Sequence, residues 1–291
     1  MFKNTAKTTI LLAAMGGLIV GIASLLGGGS SGSVMIGLFL AFGMVGWSYW
    51  SSDKLALRSA KAQVITEADH PEFYGMVRDL AHRAGLPMPR VAVSPSDQPN
   101  AFATGRNPEH AVVCATTGLL QQLTREEVEG VMAHELMHVR NRDILIGSVA
   151  AAVATAISAI AQMAMFASMF SGSRDDEERG NPIVVLVVAM FAPMAAGLIQ
   201  MAISRSREFE ADRGAAELLG SGESLASALE KIEIMAARSP MQVAPAQAQA
   251  YIHNPLAEMH HKRGTGLDVS RLFSTHPATA ERIRLLRAMT F

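Results

Sequence analysis

The sequence has one cysteine, Cys114, in 291 residues. A single thiol excludes an internal disulfide framework and any metal site built from several cysteines. Cys114 lies in the apolar run Ala111-Val112-Val113-Cys114, which suits a buried, inert thiol better than a nucleophile. Surplus charge of either sign is also missing. Twenty-five Lys+Arg against 26 Asp+Glu leave a net charge of -1 and a pI near 6.8. Without a basic surplus, nucleic acid is not an expected partner. No internal repeat is present. Charged residues make up only 18%, while hydrophobic residues reach 49% and the mean hydropathy is +0.23, high for a soluble chain.

Four stretches carry no charged residue: 8–27, about 34–50, 144–170 and 182–203. A membrane span needs about 20 predominantly apolar residues. The first two runs flank a Gly/Ser loop, and the second ends in Trp47-Ser48-Tyr49-Trp50, an interfacial aromatic belt. They read as a transmembrane hairpin; the second run argues against a cleaved signal peptide, which Lys3 and Lys7 alone would suggest. Lys3 and Lys7 precede the hairpin, Lys54, Arg58 and Lys61 follow it, and the loop has no Lys or Arg, so both ends are expected in the cytoplasm. The third and fourth runs read as a second hairpin, with buried soluble helices as the alternative because they are rich in alanine. The lack of charge inside all four argues against the ion path of a channel or transporter.

Between the hairpins the pattern is that of a soluble α/β segment. Helical spacing runs from Pro71 to Ala84, and Arg90–Ser94 reads as a strand. Two more strands are predicted at Asn100–Gly105 and His110–Cys114, turning at Asn107-Pro108. Thr124-Arg125-Glu126-Glu127 is a capping box that should open the next helix. After the fourth run, helices are expected through about Leu219, from Ser224 to Ala237, and from Pro277 to Met289. Residues 238–268 read as a loop.

The helix opened by Thr124 carries His134-Glu135-Leu136-Met137-His138. Histidines four apart share one helical face, so both can reach one ion. Glu135 then neighbours a water held at the open position, the arrangement of an H-E-x-x-H zinc hydrolase with Glu135 as general base. This helix is expected to continue into the third run. Two histidines leave a catalytic zinc one protein ligand short. Glu208 is the candidate, with Asp212 one turn on to orient a ligand histidine and Glu210 facing the opposite side. An exposed acidic pair answering Arg205 and Arg207 is the competing reading. Two crossings between His138 and Glu208 return the chain to the same side of a bilayer, so the two halves can meet. On spacing alone His276, which precedes Pro277, is a cap or surface residue.

Taken together, the N-terminal hairpin, Asn100-Ala101-Phe102-Ala103, the stretch from His134 to Asp143, the second pair of runs, the stretch from Ser204 to Asp212 and Ser274-Thr275-His276-Pro277 resemble the HtpX family of membrane-bound zinc metalloproteases, distantly similar to the CAAX prenyl proteases. The resemblance implies an α-helical membrane protein with a mainly α (α+β) zincin-like metalloprotease domain, about four transmembrane helices and a small β-sheet. The expected division is an N-terminal hairpin at 1–52, catalytic parts at 53–143 and 204–291, and a second hairpin at 144–203. His134, His138 and Glu208 match zinc ligands, one Zn2+ per subunit, and Glu135 the catalytic glutamate. Asp212 matches the acid behind a ligand, and His276 a histidine supporting substrate or the oxyanion. Asn100, Ala101, Phe102, Ala103 and Thr104 match an edge strand that pairs with substrate backbone. The implied activity is a zinc metalloendopeptidase of the bacterial inner membrane, its site facing the cytoplasm, cutting misfolded or damaged membrane proteins in quality control and the stress response. Expected partners are protein and peptide substrates, chiefly membrane proteins, the lipid bilayer and other membrane proteases. The rival is a zinc-binding membrane scaffold without hydrolysis, which retention of Glu135 disfavours.

Overall fold

The computed structural model describes residues 13, 16–17, 19–24, 30–144, 207–236, 251–252 and 277–291. The third and fourth apolar runs beyond Ile144, and His276, lie outside the described residues. The chain divides into two compact units, one of residues 1–50 and 149–200, the other of 51–148 and 201–291.

In the first unit the main described element is the helix Ser31–Ser59 (α1), which starts there and runs on into the second. It exposes Met35, Ile36, Phe39, Phe42, Trp47 and Trp50, whereas Ile19 and Ile22 are buried. No helix among the described residues is long and apolar enough to cross a membrane.

The second unit is built on a four-stranded sheet: β1 (Gln63–Ile65), β2 (Arg90–Ser94), β3 (Ala101–Thr104) and β4 (Val112–Thr116), in the order β1-β2-β4-β3. β2 and β4 are parallel, and the outer pairings are antiparallel. All five residues of β4 are buried, as a central strand covered on both faces must be. Alternation then sends side chains to two cores. Val91, Val113, Ala101 and Ala103 join Phe73, Val77 and Leu80 of the helix Pro71–Arg83 (α2) and Val131, Met132 and Leu136 of the helix Arg125–Asn141 (α4). Ala92, Cys114 and Phe102 face the other way, onto Tyr251 and the last turns of α1 at Ala56 and Leu57. Burial pushes the Cys114 thiol well above its ordinary range, in keeping with an inert residue.

Several elements follow their local signals. α2 has proline in its first turn and ends before Gly85, which holds a positive φ of 68°. α4 has Thr124 as N-cap, with the reciprocal bonds of the capping box to Glu127. Two elements were not anticipated: β1, and the short helix Thr117–Gln122 (α3), capped by the Thr116 hydroxyl. The segment predicted to begin a strand at His110 is instead a 3-10 turn over Pro108–His110, with β4 starting at Val112.

The helix over 207–219 (α5), the helix Glu223–Ala236 (α6) and the helix Thr279–Arg287 (α7) complete the unit. α6 crosses α4 closely because position 130 is glycine: a Cβ there would lie 2.7 Å from Leu225 N. Gly214 does the same for α5, since its Cβ would lie 2.9 Å from the Met137 side chain. Ala211 and Ala215 are also fully buried in this packing. Glu127 fastens α6 to α4, accepting from Ser227 Oγ at 2.6 Å and Lys231 Nζ at 2.8 Å.

One expectation needs correcting. The motif helix does not run straight on past its histidines; it ends at Asn141, with Arg142 left-handed (φ 61°, ψ 29°). On an unbroken helix Asp143 would lie about 140° round the axis from His138. The turn at Arg142 brings its carboxylate back to the histidine, and Arg207 Nη1 holds the Asp143 carbonyl at 3.3 Å. Within the stretch read as a loop over 238–268, Tyr251 and Ile252 are buried, and Tyr251 pairs with Phe102. This apolar pair has a sheet edge to bury against, which the polar composition around it concealed.

Candidate metal centre

The close packing of α4 and α5 brings His134, His138 and Glu208 together, with one ligating atom of each within 4.8 Å of the others. His134 and Glu208 are 1% and 5% exposed. Glu210, two residues on, is exposed. The carboxylate oxygens of Glu208 lie 3.7 Å from His134 Nε2 and 3.5 Å from His138 Nε2.

Both imidazoles are oriented from behind. Asp212 Oδ1 lies 2.9 Å from His134 Nδ1, and Asp143 Oδ2 lies 3.2 Å from His138 Nδ1. An ionised carboxylate only accepts hydrogen bonds, so this placement favours the proton on each Nδ1. Both Nε2 lone pairs then point inward, and the two nitrogens are 3.1 Å apart. At that distance the pair can share a proton or a cation. Two imidazoles with one carboxylate are a donor set that suits zinc.

Charge leads to the same conclusion. Around the cluster, Glu135, Asp143, Glu208 and Asp212 are all buried, and so are Arg207 and Arg282. Four carboxylates against two guanidinium groups leave a formal excess of two negative charges among the described residues. A divalent ion, or protons on His138 and Glu135, balances it.

Arg282 had no signal in the sequence. It is 2% exposed, on a helix whose other polar residues face solvent. Its Nε and Nη2 donate to the two oxygens of Asp212 at 2.8 and 2.7 Å, and Nη1 lies 3.4 Å from Glu208 Oε2. Asp143 was within the recognised stretch but had no assigned role. Its side chain is five residues from His138, and only the left-handed turn makes that spacing productive.

These contacts set the titration of the site. Burial raises the Asp212 carboxyl, but the charge and hydrogen bonds of Arg282, with His134, reverse this and hold it at about 2. Burial lowers His134. At His138 burial also opposes the proton, yet the Asp143 hydrogen bond and the Glu208 charge outweigh it and lift the group to about 9. Glu135 is pushed up to about 7, first by burial and then by Glu208, against the pull of His138 and Arg282. The backbone of Ala103 on β3 also pulls it down. Of the strand residues anticipated from the sequence, Asn100 to Thr104 are all buried, and β3 is an outer strand of the sheet.

A helix with two histidines a turn apart and a glutamate between them, closed by a carboxylate from a second helix, is the framework of a metallopeptidase. Known proteins agree with that class. Residues 67–290 match Peptidase family M48. Protease HtpX homologs of Burkholderia mallei (strain SAVP1) and Burkholderia pseudomallei (strain K96243) are each 53% identical over 289 residues, 98% of this chain and 97% of theirs. The crystal structure of S. mikatae Ste24p shares the fold, with a TM-score of 0.51 at 19% identity over 98% of this chain and 65% of that one. The chain belongs to peptidase family M48 and is a metalloendopeptidase.

Proposed function

We propose that this protein is a membrane-integral zinc endopeptidase that cuts misfolded or damaged membrane proteins on the cytoplasmic side of the bacterial inner membrane. The reading rests first on the two inward Nε2 atoms and Glu208 converging beside Glu135. His134, His138 and Glu208 hold the zinc, and Asp212 and Asp143 fix the two histidines as Nδ1–H tautomers. A zinc ion bound there supplies Lewis acidity, lowering the pKa of water and polarising a peptide carbonyl. Glu135 takes the proton of the attacking water and returns it to the leaving amine. His276 meets charge that develops on the substrate carbonyl. The edge of β3, whose Ala103 backbone acts on Glu135, aligns an extended substrate by backbone pairing, which gives affinity with loose sequence choice.

The membrane assignment is supported by the four uncharged runs, the lysine and arginine pattern around the first pair, and the exposed Phe39, Phe42, Trp47 and Trp50 of α1. Four spans place both halves of the site on one side. Unfolded segments of membrane proteins are the substrates such a location offers.

Purified full-length protein in detergent should cleave casein, and a chelator should stop it. Glu135→Gln should abolish cleavage while bound zinc, read by elemental analysis, stays at the wild-type level; unchanged turnover would sink the mechanism. Glu208→Ala should lower bound zinc and Glu210→Ala should not, and the reverse would move the third ligand.

A further inference from the structure

The edge of β3 is not bare. Tyr251 forms an antiparallel bridge with Phe102, and Ile252 N–H donates to the Ala101 carbonyl at 2.9 Å. The Tyr251 ring meets Phe102 edge-on, with centroids 5.0 Å apart. Ile252 faces the opposite side, in the core shared with α4. Both residues are 3% exposed. The Ile252 carbonyl accepts from Nη1 of Arg282, the guanidinium already bound to Asp212 and beside Glu208. Groups two residues apart on a strand point the same way, so the Ala101 carbonyl and the Ala103 N–H share this edge. The backbone of Ala103 also acts on the Glu135 carboxyl. Tyr251-Ile252 of the protein's own chain therefore lies on the edge next to the general base.

We infer that Tyr251-Ile252 is a resident pseudosubstrate: it occupies the β3 edge that an extended substrate requires, and a substrate must displace it to bind. The inference rests on the reading of β3 as the substrate strand. One edge has one set of backbone partners, so two strands cannot use the Ala101 carbonyl at once. Among the described residues, one bridge and one backbone bond hold Tyr251-Ile252 to the β3 edge. The Arg282 bond to the Ile252 carbonyl is 3.4 Å, long for a hydrogen bond. Its side chains also show what the edge accepts: an aromatic against Phe102, followed by a branched aliphatic pointing into the core. Extended apolar pairs of that kind are buried in folded proteins and available in unfolded ones. Self-occupancy thus sets a threshold that a folded surface loop does not meet.

The test reads binding, so it does not depend on turnover. In full-length protein carrying Glu135→Gln and Cys114→Ala, Phe102→Cys with Tyr251→Cys places a cysteine pair across the bridge. A labelled peptide, Ala-Gln-Ala-Tyr-Ile-His-Asn, is titrated into the reduced and oxidised forms. A site open only part of the time binds more weakly by that fraction, so locking the strand should weaken binding about tenfold or more, with recovery on reduction. Equal binding by both forms overturns the inference. Should the pair not cross-link, Ile252→Pro decides the matter, because it removes the N–H donated to Ala101: tighter peptide binding is expected, and unchanged or weaker binding with the metal retained overturns the inference. Casein cleavage by the wild-type chain, with and without chelator, tests the peptidase reading separately.

Discussion

At the scale of single residues, the site depends on groups that never meet a substrate. Arg282 is the clearest case. It neutralises Asp212 and Glu208 in a volume closed to water, and breaking such a buried pair costs about 3–5 kcal/mol because the remaining charge is left without a partner. Arg282→Met should therefore lower the unfolding free energy of the metal-free protein, read from denaturant titration, by that order. The pH dependence has a definite sign. Asp212 is held at about 2, below its unfolded value, so its stabilisation is present above the ordinary carboxylate range and is lost as pH falls through about 2. Without Arg282 that acid transition should move upward, as circular dichroism during acid titration would show; an unmoved transition means that the guanidinium does not hold Asp212. Asp143 acts on His138 in the way Asp212 acts on His134, but only because Arg142 turns the chain.

At the scale of elements, the catalytic geometry is a matter of how closely three helices pack. Gly130→Ala tests this with an informative sign. In an exposed helix the change gains up to about 1 kcal/mol of helix propensity. Here the new methyl would lie 2.7 Å from Leu225 N and force α6 away from α4. Overpacking of that kind costs about 1–3 kcal/mol, so thermal unfolding should show a net loss of stability; a gain would mean the crossing is looser than described. Elements whose determinants are local were legible in the sequence. The capping box at Thr124 and Glu127, the Arg90–Ser94 strand, and the i, i+4 spacing of both histidines and of Glu208 with Asp212 all declare themselves within one or two turns. What was missed depends on distant partners. β1 is three residues with no pattern until β2 lies beside it, Arg282 is one guanidinium among several in α7, and Tyr251-Ile252 is two residues long. The break at Arg142 was missed because an arginine carries no signal for a left-handed turn, and the apolar run beyond suggested continuity.

At the scale of the whole molecule, topology and charge make separate demands. If the four uncharged runs all cross, Asp176 lies on the far side from the active site. Asp176→Cys, labelled in intact cells with an impermeant maleimide, should react without lysis, whereas labelling only after lysis would remove the second hairpin. The charge excess at the metal centre has a wider consequence. Two negative charges beyond the arginines can be met by one divalent ion, or by protons on His138 and Glu135, which titrate near 9 and 7. Ion and protons are alternative occupants of one deficit, so each displaces the other. To this protein, acid and chelator are the same reagent.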